Sequence, residues 1–238
     1  MTERVPVLCF PPAGAGPSFF QAWPDASPAL RFAAVELPGK ERRFAEEPAT
    51  TMTELVDAIA DDVLREVGAA GRVGVFGHSF GALVAYEVAR LVAHERPAVD
   101  LTLFASGAPR PGVPRSSPIG GLPDDEFVVA VAELAGYKHP ALDDPDLREL
   151  LLPALRGDVA VDESYRPAEQ APAAFPVVSV RGDADELVSA AAAARWREVT
   201  AAGCTTREFP GGHMYLIEHW APLVTLLERT LVGEQARS

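Results

Sequence analysis

With 238 residues, 48% hydrophobic and 23% charged, the chain has the size of one α/β domain and enough apolar content for a sizeable core. Its formal net charge of −13 argues against nucleic acid or an anionic membrane surface as the main partner, and its apolar runs are too short to cross a bilayer. The N-terminus lacks a basic region, a long apolar region and a cleavage site, so no signal peptide is expected and a cytoplasmic location is the default.

Apolar stretches alternate between strand and helix character, the mark of an α/β domain with a parallel sheet. Residues 5–10 read as a buried strand, followed by the breaker-rich loop Pro11-Pro12-Ala13-Gly14-Ala15-Gly16-Pro17 and a short helix from Ser18. A second strand is expected over 31–37, ended by Pro38-Gly39. Leu55, Ile59 and Val63 then share one stripe of a helix over 53–67. Residues 71–76 form a strand, and 82–92 are apolar almost all round, as in a buried helix. Further strands are expected over 101–105, 176–181 and 206–209, with helices over 190–200 and 219–231. The segment 109–174 breaks this alternation. It opens with four prolines between 109 and 118. Two helical stripes follow, Phe127, Val131 and Leu134, then Leu147, Leu150, Leu151 and Leu155. The expected organisation is an α/β core of residues 1–108 and 175–238, with 109–174 inserted as a helical lid. Cys9 and Cys204 sit in or beside strands and read as free buried thiols.

Between the third strand and the buried helix stands Gly77-His78-Ser79-Phe80-Gly81, a G-x-S-x-G pattern in the strand–turn–helix context it requires. The serine occupies a strained turn, glycines let neighbouring chain pass close, and the helix dipole favours developing negative charge. Ser79 is therefore the expected nucleophile. A serine hydroxyl needs an adjacent base. Of five histidines, His213 follows a strand in the loop Gly211-Gly212-His213, where the order Ser…Asp…His places the base. His78 is expected to point away from the substrate side. The acid falls in Gly182-Asp183-Ala184-Asp185, after the strand over 176–181. Asp185 is the choice and Asp183 the fallback, the other serving as a turn or cap residue. Backbone N–H groups of Phe80 and Ala13, the first donor after Pro11-Pro12, are the expected oxyanion hole. The glycine-rich loop is not a phosphate loop, since no Gly-Lys-Ser/Thr follows and the third dinucleotide glycine is missing. No metal-ligand spacing is present.

Phe10-Pro11-Pro12-Ala13-Gly14, Leu37-Pro38-Gly39-Lys40-Glu41-Arg42-Arg43, the elbow around Ser79, Gly182-Asp183-Ala184-Asp185 and Gly211-Gly212-His213 together resemble the external type II thioesterases of polyketide and non-ribosomal peptide synthesis. The likeness runs from about residue 5 to 230. It implies an α/β-hydrolase fold and an editing role, in which wrong or stalled acyl groups are cleaved from the phosphopantetheine thiol of an acyl or peptidyl carrier protein. It implies no cofactor of the protein's own, phosphopantetheine belonging to the substrate. The chain departs from the family at Pro12, where histidine is usual, and at Phe80, where methionine is common. The Phe80 side chain is expected to narrow the acyl pocket. Carrier proteins are often acidic, so docking needs a local basic patch, and Lys40, Arg42 and Arg43, or Arg110 and Arg115, are the candidates. A small-molecule carboxylesterase or a cofactor-free perhydrolase on the same triad is the competing enzyme reading. The sequence leaves the oligomeric state open.

Overall fold

Six strands build one sheet: β1 (Val5–Phe10), β2 (Leu30–Ala34), β3 (Arg72–His78), β4 (Asp100–Ser106), β5 (Val177–Gly182) and β6 (Cys204–Phe209). In this computed structural model, which describes residues 4–114, 118–137, 140–168 and 171–233, every neighbouring pair is parallel and the order is β2-β1-β3-β4-β5-β6. Parallel pairing forces a crossover after each strand. The helices are α1 (Met52–Val67), α2 (Phe80–Glu95), α3 (Asp124–Ala135), α4 (Pro145–Ser164), α5 (Ala190–Ala194) and α6 (Trp220–Val232).

Side chains alternate across each strand, so the inner strands feed two cores. Leu8 and Phe10 join the α1 and α2 side with Ile59, Val84 and Val88. Val7 and Cys9 join the α6 side with Phe76, Phe104, Leu223 and Leu227. Apolar layers on both faces explain why β3, β4 and β5 read as continuous apolar runs rather than alternating ones.

Two element ends differ from the sequence expectation. β2 stops at Ala34 instead of 37: Val35 still donates to the Cys9 carbonyl, but Pro11 and Pro12 offer no further amide for the ladder. The helix expected over 190–200 is a single α turn that tightens into a 3₁₀ stretch, Arg195–Val199, where Trp196 is fully buried and donates its indole N–H to the Ala108 carbonyl. Cys9 is buried and Cys204 half-buried, both as free thiols.

α3 and α4 lie in the segment between β4 and β5 and share their own apolar cluster around Phe127, Leu152 and Val159. Arg156 ties this unit together. It donates to the Gly120 and Leu122 carbonyls and to Asp124, and its guanidinium lies 4.2 Å from the Phe127 ring centroid. Glu163 accepts from the amides of Ile119 and Gly120. The unit meets the sheet domain through Asp158, which pairs with Lys40 and accepts the Gly14 N–H at 2.7 Å, and through Tyr165, which donates to Glu87. Among the described residues, no helix is long and apolar enough to cross a membrane.

Candidate active site

The turn from β3 into α2 places Ser79 at φ 55°, ψ −121°, a region L-residues rarely occupy. Three contacts hold that strain. The Ser79 amide donates to the Ser106 carbonyl at 2.8 Å. A Cβ on Gly77 would collide with the Gly81 carbonyl, and a Cβ on Gly81 with the carbonyls of Phe10 and Pro11. Both glycines are therefore steric requirements, and the second brings the loop after β1 against the elbow.

His213 comes from the loop after β6 and is 7% exposed. Its Nε2 lies 3.1 Å from Ser79 Oγ, and its Nδ1 lies 3.0 Å from Asp185 Oδ2. Asp185, 4% exposed, is fixed through Oδ1, which accepts the amides of Leu187 and Val188 at 2.9 and 3.0 Å. Burial pushes its carboxyl up. The His213 hydrogen bond and charge, with the two amides, outweigh that and hold it below the usual carboxylate range. An ionised carboxylate only accepts, so Nδ1 carries the imidazole proton and Nε2 turns a lone pair to the serine hydroxyl. Asp183 does not touch His213; its Oδ1 accepts the Gly211 amide at 2.9 Å and braces the loop that carries the histidine. A Cβ on Gly182 would strike the Gly211 and Gly212 carbonyls, which shows how tightly the two loops meet.

Phe80 is the first residue of α2, so its N–H is one of the amides a helix leaves without an internal partner. Ala13 sits half-buried in the turn closed by the Ala15 amide and Pro12 carbonyl. Beside it opens a cavity of about 650 Å³. Trp23, Leu216 and Trp220 line it together with Leu151 and Leu155 of α4, and Ala13 and Met214 bring it next to the elbow and to His213. A Cβ on Gly14 would come within 2.8 Å of Leu155 Cδ1, so α4 rests directly on the loop after β1.

Three sequence expectations are corrected. The Phe80 ring does not narrow this cavity: it is 1% exposed, packs in the α1–α2 core and is absent from the cavity wall. Lys40 is not a docking cation: it is 5% exposed, paired with Asp158 and 5.8 Å from the Phe80 ring centroid, because α4 closes over its loop. Arg42, Arg43 and Arg110 are engaged by Glu36, Glu46 and Glu198. Arg115, like His139 of the lid, lies outside the described residues. His78 is absent from the cavity wall, in keeping with the sequence expectation. It is fully buried, its ring centroid is 5.0 Å from that of His213, and its Nδ1 lies 2.8 Å from Ser106 Oγ. Ser106 and Tyr215, which complete that contact, carry no motif that marks them as site residues.

Among the described residues, no group of three or more His, Cys, Asp or Glu side chains is arranged to hold a metal ion.

A parallel six-stranded sheet with a serine on the sharp turn after its third strand and a histidine loop after its last is the α/β-hydrolase architecture, shared with the solved type II thioesterases it superimposes on. Within that class, the chain belongs to the thioesterase family, whose thioesterase-domain model matches residues 5–231. It is similar to the thioesterase PikA5 of Streptomyces venezuelae, 32% identical over 222 residues, covering 92% of this chain and 78% of that protein. It is also similar to the gramicidin S biosynthesis protein GrsT of Aneurinibacillus migulanus, 30% identical over 217 residues and covering 90% and 84% of the two chains. The solved type II thioesterase BorB from the borrelidin biosynthetic cluster superimposes with a TM-score of 0.86 at 31% identity, covering 96% of this chain and 93% of that one.

Proposed function

We propose that this protein is an editing thioesterase that frees carrier proteins of polyketide or non-ribosomal peptide synthesis from wrong or stalled acyl groups, acting in the cytoplasm. The observation that carries the reading is a single imidazole, His213, standing between the Ser79 hydroxyl and the Asp185 carboxylate. The roles named for PikA5 and GrsT and the thioesterase family membership support the substrate class.

Ser79 Oγ attacks the thioester carbonyl carbon while His213 Nε2 takes its proton. The amides of Phe80 and Ala13 receive the developing oxyanion. Asp185 holds the tautomer and stabilises the imidazolium. The C–S bond then breaks, and the pantetheine sulfur leaves with the proton from His213. A thiol of pKa about 8.5 is a good leaving group, so little acid assistance is needed. A water molecule, deprotonated by His213, attacks the acyl-serine, releases the carboxylic acid and restores Ser79. These steps use side chains, two amides and water. The α3–α4 segment, 109–174, acts as a lid that shields the acyl-serine and walls the cavity.

The test compares wild type with Ser79→Ala on an acyl-loaded carrier protein, followed as free-thiol release, with an oxygen ester of the same acyl group alongside. Wild type is expected to prefer the thioester. The variant is expected to lose turnover with an unchanged melting temperature. Persisting thioesterase activity in Ser79→Ala, or an oxygen-ester preference in wild type, overturns the proposal.

A further inference from the structure

We infer that the buried hydrogen-bonded chain His78–Ser106–Tyr215 is a strut that sets the spacing between Ser79 and His213. The inference rests on the proposed roles of that pair.

Ser79 stands on the turn after a central strand, while His213 arrives 134 residues later on a loop beyond the edge strand. Asp185 fixes Nδ1 of the imidazole but belongs to a third loop and makes no bond to the elbow. The strut closes that gap. His78 precedes the serine in the chain, and its Nδ1 is 2.8 Å from Ser106 Oγ. Ser106 Oγ is 2.7 Å from the hydroxyl of Tyr215, two residues beyond His213. Ser106 also accepts the Ser79 amide through its carbonyl. One residue at the end of β4 thus grips the nucleophile by its backbone and the base's segment by its side chain.

All three residues are buried, where a hydrogen bond fixes distance and direction more sharply than apolar contact does. Tyr215 is anchored at its other end as well, stacked on Phe209 at the end of β6 with centroids 5.5 Å apart and planes at 12°. Glycine at 107 makes room for the arrangement: a Cβ there would lie 2.5 Å from His78 Cε1 and 3.2 Å from His213 Cε1. Burial, and next the proximity of His213, hold the His78 imidazole well below the usual histidine range. It therefore packs against the base as a neutral ring and adds no repulsion to the imidazolium formed during turnover.

The test uses Tyr215→Phe, which keeps the ring and its stacking, and Ser106→Ala, which removes the central node. Three quantities are read, with rates per active site titrated: the rate at which a fluorophosphonate labels Ser79, and kcat and KM on an acyl-thioester. Both variants are expected to label and turn over about tenfold more slowly, short of the roughly hundredfold cost of a full ångström of misplacement, with KM within about twofold of wild type. A purely structural role would lower melting temperature and titratable sites while leaving the rate per site unchanged. That result in Tyr215→Phe overturns the strut. Rapid labelling of wild type without thioester turnover would count against the thioesterase reading instead, and the labelling rates would still test the strut.

Discussion

At the scale of single residues, the two aspartates of one turn are separated by what each carboxylate accepts. Asp185 takes the imidazole N–H and two amides; Asp183 takes only the Gly211 amide. An asparagine at 185 can offer its NH₂ to Nδ1. That favours the tautomer with a proton on Nε2, facing a hydroxyl that needs a lone pair. Asp185→Asn is therefore expected to lower kcat about 10⁴-fold with the fold retained. Asp183→Asn keeps an acceptor for Gly211 and is expected to cost about 1 kcal/mol of stability or less, with kcat little changed. Steady-state kinetics on the two variants decide the assignment, and a larger loss at 183 reverses it. Ser79 and His213 were legible in sequence because each sits in a local pattern with steric meaning. Ser106 and Tyr215 were not, since an ordinary strand-end serine and a tyrosine near a loop acquire their contact only when the ends of β4 and β6 converge.

Among the elements, periodicity finds every strand and all of the long helices of the described residues, and misjudges the places where a neighbour decides. The clearest case is Lys40. After Pro38-Gly39 it reads as a loop cation, yet α4 lowers Asp158 onto it and buries both. Burial pushes the Asp158 carboxyl up, against the pull of Lys40 and of the Gly14 amide. The two halves of the pair are thus unequal. Asp158→Asn strands a buried ammonium and is expected to cost about 3–5 kcal/mol. In Lys40→Met the orphaned carboxyl, already raised, can take up a proton, so the cost is smaller. The double variant is expected to fall short of the sum of the two. Denaturant titrations of the three proteins check this, and equal losses from the two single variants would refute the asymmetry.

For the whole molecule, the cavity is the feature no stretch of sequence could announce. Its walls come from the loops after β1 and β2, from α3 and α4 and from the segment beyond His213, regions that meet only in the finished fold. Its lining is largely apolar, so it is suited to a hydrocarbon chain running from the Ala13 and Met214 end. Each methylene buried there is worth about 0.8 kcal/mol, or roughly a fourfold gain in kcat/KM. A series of straight-chain acyl-thioesters from two to ten carbons is expected to rise by about that factor per carbon until the space is filled. Leu151→Trp is expected to move the optimum to shorter chains. A profile already flat from acetyl onward would rule out the cavity as the acyl site.

The inward turn of the Phe80 ring separates two kinds of change. On the mechanism proposed above, the residue beside the nucleophile lends the reaction only a main-chain group, while the tasks of selecting and accommodating the acyl chain fall to side chains of α3, α4 and the flanking loops that line the cavity. Substrate range is then free to drift, or to be redesigned, through those outer positions while the reacting centre is inherited intact.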